Sequence, residues 1–247
     1  MYKDYILGKK AVLFDLDGTI VDNLHYWEEA VTNVAGTLDI GSSPNSKLVY
    51  KGVCLTEIWK DFITESKVKN SKSLEDLVKE TKDAYLKIIS TEESIEPRYG
   101  FWSLLREFKD KKFLVGLVSN SSKDVVDIML NKLDIKYELF DVVVTGDEVK
   151  NKKPHPEIYL TAAKKLKTNP KEILVFEDSV IGAISANKAG MDLIVIWSGQ
   201  FPEYDYPEKT LTFLDDFHSL PGNLDQTFME YFKQEAQKSA PPGAIIK

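Results

Sequence analysis

Cysteine is nearly absent from this chain. Cys54 is the only one in 247 residues, so no internal disulfide can form. Histidine is scarce as well: His25, His155 and His218 are dispersed, lack the spacing of a metal-ligating set, and are not candidates for catalysis. Long apolar runs are missing, since stretches such as 193–197 fall far short of the ~20 residues a membrane-spanning helix needs. The opening MYKDYILGKK lacks the apolar core of a secretory signal, so the expected compartment is the cytoplasm. Positive charge is not in excess either. Lys plus Arg number 32 against 39 Asp plus Glu, a net charge of −7, which argues against a nucleic acid or a membrane surface as the principal partner. A small anionic ligand remains compatible, provided local cations or a metal reverse the sign at its site.

Short runs rich in Val, Ile, Leu and Phe recur at 11–14, 113–118, 142–144, 173–176 and 193–197. Bounded by polar residues or glycine, they read as buried parallel strands. Helical patterns lie between them: Val126, Met129, Leu130 and Leu133 share one face, and so do Tyr159, Ala162, Ala163 and Leu166. Strand–helix alternation of this kind predicts an α/β fold with a doubly wound, Rossmann-like parallel sheet. Residues 22–97 break the alternation, with three helical stripes and no strand: one from Trp27 to Leu38, one from Leu55 to Ile63 and one from Leu74 to Ile88. The expected organisation is an α/β core made of 1–21 and 98–232, an all-helical insert at 22–97 hinged at Asp22, Asn23 and EPRYG, and a tail at 233–247. GSSPNSK, at 41–47, reads as a loop.

The first strand ends in FDLDGT. Side chains alternate along an extended chain, so Asp15 and Asp17 project to one side and Leu16 to the other. A second acidic pair, Glu177 and Asp178, ends the strand at 173–176 in the same manner. Carboxylates gathered at neighbouring strand ends repel one another and call for a hard cation, and magnesium suits a site that also holds a phosphate. Taken singly, each motif has a plainer reading. Asp-x-Asp-Gly also describes a turn, Ser119 and Asn120 in LVSNSS also fit a helix cap, and NKKPHP, with Lys153 immediately before Pro154, also fits a solvated basic loop.

Together and in this order, DLDGT, Ser119–Asn120, Lys153–Pro154 and EDS at 177–179 resemble the haloacid dehalogenase superfamily of phosphotransferases, over Lys10 to about Trp197. The insert then resembles that family's helical cap, and the nearest branch is that of the sugar phosphatases and β-phosphoglucomutase. The resemblance implies that Asp15 is the nucleophile that becomes an aspartyl phosphate, and that Asp17 is the general acid and base. Thr19 would support the loop. Ser119 and Asn120 would hold phosphoryl oxygens, and Lys153, rather than its neighbour Lys152, would bridge nucleophile and phosphoryl group. Mg²⁺ would be bound by Asp15, the main-chain carbonyl of Asp17 and Asp178, with Glu177 as a direct or water-mediated ligand. The implied reaction is Mg²⁺-dependent hydrolysis of a small phosphomonoester such as a sugar, polyol or nucleoside phosphate.

Within the insert, YKGVCLTEIW resembles the stretch by which caps of the mutase branch reach the active site, which makes Lys51 a candidate substrate contact. The mutase carries an arginine where Leu55 stands here, and Thr19 also fits phosphatases better, so hydrolysis is favoured over the alternatives of a phosphomutase or a non-catalytic phosphate sensor. Trp27, Trp59 and Phe62 lie on helical stripes and are expected in the core of the insert.

Overall fold

The computed structural model describes residues 5–38, 52–66 and 72–218. The loop expected at 41–47, Lys51 and the tail from 233 lie outside the described residues. Six strands form one sheet: β1 (Ala11–Phe14), β2 (Leu114–Val118), β3 (Val142–Val144), β4 (Ile173–Glu177), β5 (Asp192–Ile196) and β6 (Thr210–Leu214). Their order is β3-β2-β1-β4-β5-β6 and every pairing is parallel. From β1 the chain winds outward through β2 to β3, then crosses back to β4 and winds the other way. The reversal leaves a crevice at the carboxyl ends of β1 and β4, the place where open sheets of this kind bind ligands.

Register decides which residues meet there. Phe14 pairs with Leu117 on one side and with Phe176 on the other. The residues that follow, Asp15, the run from Ser119 and the pair Glu177–Asp178, therefore emerge side by side. Successive β1 residues serve opposite faces: Val12 and Phe14 enter one apolar cluster, Ala11 and Leu13 the other. On the first face Phe14 stacks on Phe176 at 4.9 Å, with Phe101, Phe108 and Phe217 presenting their edges to Phe14.

Helices α1 (Leu24–Gly36), α2 (Leu55–Ser66) and α3 (Leu74–Thr91) form the insert, and α4 (Phe101–Asp110), α5 (Lys123–Lys132), α6 (Glu157–Leu166) and α7 (Val180–Lys188) flank the sheet. Each insert helix follows its sequence stripe. Trp27, Ala30, Val31 and Val34 are buried on α1, and Leu77, Thr81, Tyr85 and Ile89 on α3. Ser73 and Asp76 close a capping box at the start of α3. Trp59 of α2, fully buried, donates its indole N–H to the Thr81 hydroxyl at 2.9 Å.

The sixth strand and α4 go beyond the sequence reading. β6 sits at the sheet edge and is half-buried for most of its length, so TLTFL carries no continuous apolar run to betray it. FWSLLREFKD, read only as the chain beyond a hinge, winds into α4 and buries Phe101, Leu104, Leu105 and Phe108 against the sheet. The two linkers to the insert are tied together by Arg98, whose main-chain N–H donates to Ile20 O at 2.7 Å and whose Nε donates to Gly18 O at 2.9 Å.

Candidate active site

A cavity of about 350 Å³ lies where the insert covers the carboxyl ends of β1, β2 and β4. Asp15, Asp17, Ser119, Asn120, Lys153 and Asp178 line its sheet side, and Leu24, Trp27, Leu55, Ile58, Val78 and Lys82 its opposite wall. Every site residue expected in the core thus reaches one cavity, except that Glu177 stands just behind it. Lys152 also lines the cavity, with its ammonium on Asn120 O at 3.2 Å. His25 is exposed against Tyr26 and is not among the lining residues.

Lys153 organises the floor. Its side chain is 3% exposed, and its three protons meet three acceptors: Asp15 Oδ1 at 2.6 Å, Glu177 Oε1 at 2.6 Å and Val118 O at 3.1 Å. The ammonium also lies over the Tyr159 ring, 5.1 Å from its centroid. Burial alone would lower the Lys153 pKa, but the Asp15 and Glu177 carboxylates outweigh it and hold the ammonium above its usual range. Lys153 therefore stays charged.

Glu177 is fully buried, and both its oxygens are engaged. Oε1 accepts from Lys153 and from the Tyr159 hydroxyl at 2.9 Å; Oε2 accepts from the main-chain N–H groups of Asp178 and Ser179, both at 3.1 Å, and from the Ser179 hydroxyl at 3.0 Å. Ser179 caps α7 by accepting from the Gly182 N–H at 3.1 Å. Gly182 is glycine because a Cβ there would sit 1.9 Å from Glu177 Oε1.

Asp178 is held from three directions. Thr19 donates its hydroxyl to Oδ1 at 3.0 Å, the N–H binds Glu177, and the carbonyl accepts from the Tyr206 hydroxyl at 2.8 Å. Gly18, at φ +88, lets the first loop pass directly beneath Asp178; a Cβ would lie 2.0 Å from Oδ2. One oxygen from each of Asp15, Glu177 and Asp178 lies within 4.8 Å of the others. Burial, followed by the opposing charges of Lys153 and of Glu177 and Asp17, leaves the Asp15 carboxyl pushed up to about 8. Asp178 is likewise raised, first by burial and then by Glu177 and Asp15. With one ammonium among three buried carboxylates the cluster lacks positive charge, and its all-oxygen donor set fits a hard divalent ion.

On the sheet side, Asn120 turns its Oδ1 to the Lys153 N–H at 3.0 Å, while its Nδ2 is buried and has no hydrogen-bond partner. A buried donor left unpaired at the cavity is suited to an anionic oxygen. Ser119 accepts from the Ser121 N–H at 3.0 Å and is 3.3 Å from Asp17 Oδ2.

Several residues around Asp17 and Lys153 went unread in the sequence. Asn23 and Ser121 bond Asp17 directly, while Tyr159 and Tyr206 brace Glu177 and Asp178. Trp27 is core as expected, stacked on Tyr85 at 3.6 Å, yet it also lines the cavity and points its indole N–H at Asp17 Oδ1, 3.3 Å away. Ser121 stands inside the SNSS run and was visible by proximity. Tyr159 reads only as one more member of an apolar helix face, because nothing in one dimension shows where its hydroxyl ends.

The family profile of the haloacid dehalogenase-like hydrolases matches residues 12–196. The chain belongs to this family. A phosphorylated carbohydrates phosphatase from Thermotoga maritima is 31% identical over 185 residues, covering 75% of this chain and 83% of that protein. A β-phosphoglucomutase from Bacillus subtilis is 32% identical over 197 residues, covering 77% and 84%. Among solved structures, a β-phosphoglucomutase from Clostridium difficile superposes with a TM-score of 0.73 at 28% identity, covering 91% of this chain and 99% of that one. The chain is thus an enzyme of a hydrolase family, and its α/β fold matches that of these relatives. Among the described residues no helix is long and apolar enough to cross a membrane.

Proposed function

We propose that the protein hydrolyses a small phosphomonoester, such as a sugar, polyol or nucleoside phosphate, through an aspartyl phosphate on Asp15. The observation that carries this reading is the 2.6 Å pair of Asp15 and Lys153 at the cavity floor, next to the unpartnered Asn120 amide. As a carboxylate, Asp15 can attack phosphorus, while the Lys153 ammonium, which opposes the rise that burial imposes on the Asp15 carboxyl, and the Asn120 amide take up charge on the phosphoryl oxygens.

Asp15 forms the bond to phosphorus as the ester oxygen departs, and Asp17 supplies that oxygen with a proton. Asp17 then takes a proton from water, the hydroxide attacks the phosphorus, and the Asp15–O–P linkage opens to release inorganic phosphate. Ser119 and Asn120 hold the phosphoryl oxygens. Asp15, Asp178 and the Asp17 carbonyl would hold Mg²⁺, with Glu177 acting through Lys153 and the 178–179 N–H groups. When bound, the ion neutralises negative charge on nucleophile and phosphoryl group. The helical insert, taken as a cap over 22–97, would exclude bulk water from the leaving group and select it.

The names of the relatives include both a phosphatase and a phosphomutase. Leu55 favours hydrolysis: it lines the cavity wall with an apolar side chain that offers no anchor to a second phosphate. The test is phosphate release from a panel of sugar, polyol and nucleoside monophosphates, with and without Mg²⁺, beside Asp15→Asn. Turnover on at least one substrate that needs Mg²⁺ and vanishes in Asp15→Asn is expected. Isomerisation without phosphate release, stimulated by a sugar bisphosphate, would replace hydrolysis with mutase chemistry, and full turnover in Asp15→Asn would remove Asp15 as nucleophile.

A further inference from the structure

Asp17 is surrounded by donors of two kinds. Its Oδ1 accepts from Asn23 Nδ2 at 2.6 Å and from the Trp27 indole N–H at 3.3 Å. The Asn23 amide cannot turn over, because its Oδ1 accepts the Gly18 N–H at 3.1 Å and the second Nδ2 proton goes to the Tyr85 hydroxyl at 2.8 Å. Asn23 is fully buried, and Trp27 is held flat against Tyr85. An amide nitrogen used in this way and an indole nitrogen can only donate. A proton on Oδ1 would face both of them.

The other oxygen has different neighbours. Oδ2 is 2.8 Å from the Ser121 hydroxyl and 3.3 Å from that of Ser119. A hydroxyl can rotate and accept, so it tolerates either protonation state of the carboxyl beside it. We infer that Asp17 Oδ2 is the oxygen that carries the catalytic proton, and that Ser121 is a positioning residue that aims it at the leaving group from the side of residues 119–122. Ser121 donates to Oδ2 when Asp17 is a carboxylate; when Asp17 is the acid, the Ser121 hydroxyl turns its hydrogen away and leaves the Oδ2 proton to face the ester oxygen. The proton that leaves Oδ2 for the ester oxygen is replaced by one from the attacking water, so the carboxyl returns to its starting state after each turnover.

This inference rests on the acid–base reading of Asp17, and the test separates the two. The measured quantity is kcat/KM, which reports events up to transfer onto Asp15, for the full chain with Mg²⁺ on p-nitrophenyl phosphate, phenyl phosphate and an alkyl phosphate. The nitrophenolate leaves without a proton; the phenolate needs one more, and the alkoxide most. Ser121→Ala is expected to lose about tenfold or more on the alkyl ester and less than threefold on p-nitrophenyl phosphate, with Ser121→Thr, which keeps the hydroxyl, restoring the alkyl rate. Asp17→Asn is expected to show the same dependence more steeply. A uniform loss across leaving groups in Ser121→Ala, or no loss, while Asp17→Asn stays selective would overturn the role of Ser121. Absence of leaving-group dependence in Asp17→Asn would instead overturn the acid–base reading itself.

Discussion

Replacing Glu177 by Gln changes one oxygen into an NH₂ group at a site where five donors converge on two acceptors. If the new amide nitrogen takes the Oε1 position, it faces the Lys153 ammonium and the Tyr159 hydroxyl. If it takes the Oε2 position, it faces two main-chain N–H groups and the Ser179 hydroxyl, and the N–H groups cannot turn away. Either choice breaks hydrogen bonds at a fully buried point and removes one of the two carboxylates that balance Lys153. Removing one partner of a buried ion pair costs about 3–5 kcal/mol. In a chain of this length that corresponds to a fall in Tm of roughly 6–20 °C. Urea unfolding followed by circular dichroism measures the loss, and calorimetric titration with Mg²⁺ measures the consequence for the ion. Because Glu177 is assigned to Lys153 and the 178–179 loop rather than to the metal, the expected change in Mg²⁺ Kd is about tenfold. A variant as stable as the parent to within about 1 kcal/mol, with Mg²⁺ binding weakened more than about a hundredfold, would refute the assignment and make Glu177 a direct ligand.

Thr19→Val keeps the shape of the residue but removes the hydroxyl that holds Asp178 Oδ1, and Mg²⁺ Kd measured by calorimetry is expected to rise about tenfold; an unchanged Kd would sink the claim that Thr19 orients this carboxylate. Gly182→Ala pushes a methyl group onto Glu177 Oε1 and is expected to lower stability by about 1–3 kcal/mol in urea unfolding, with a neutral result refuting the close packing of α7 on Glu177. Burial raises the Asp141 carboxyl, but its bonds to Lys109 at 2.8 Å and to the Val115 N–H at 2.7 Å outweigh this and hold it below the usual range. A pKa lowered on folding contributes stability that is complete above about pH 4 and is lost as pH falls through the folded value. Asp141→Asn should therefore cost under about 1 kcal/mol at pH 7, given its partial exposure, and the gap to the parent should close toward pH 3; a gap that widens there would contradict the sign.

How much of the site was legible follows from what each residue does. Asp15, Asp17 and Asp178 are chemical groups fixed to strand ends, and strand ends are written locally as apolar runs that stop. Lys153 is marked by Pro154. The partners of these groups are of another kind: the Tyr159 and Tyr206 hydroxyls, the Asn23 amide and the Trp27 indole act only through where their tips arrive. Trp27 illustrates the limit, since its helical stripe correctly places it in the core and says nothing of the one polar atom it extends toward Asp17.

By itself, the order of residues determined the parallel strands at the centre of the sheet, the helices of the insert and the carboxylates that end those strands, because periodicity and strand-end chemistry are properties of neighbours along the chain. The family resemblance leads to the expectation that Lys153 meets Asp15 across 138 residues, but tertiary structure alone decided that it would share itself with Glu177. It also decided that α4 and an edge strand would complete the sheet's cover, and that each oxygen of Asp17 would face a different kind of donor. Those outcomes depend on the β1–β4 register and on the seating of the insert, which bring together atoms whose distance no local pattern encodes.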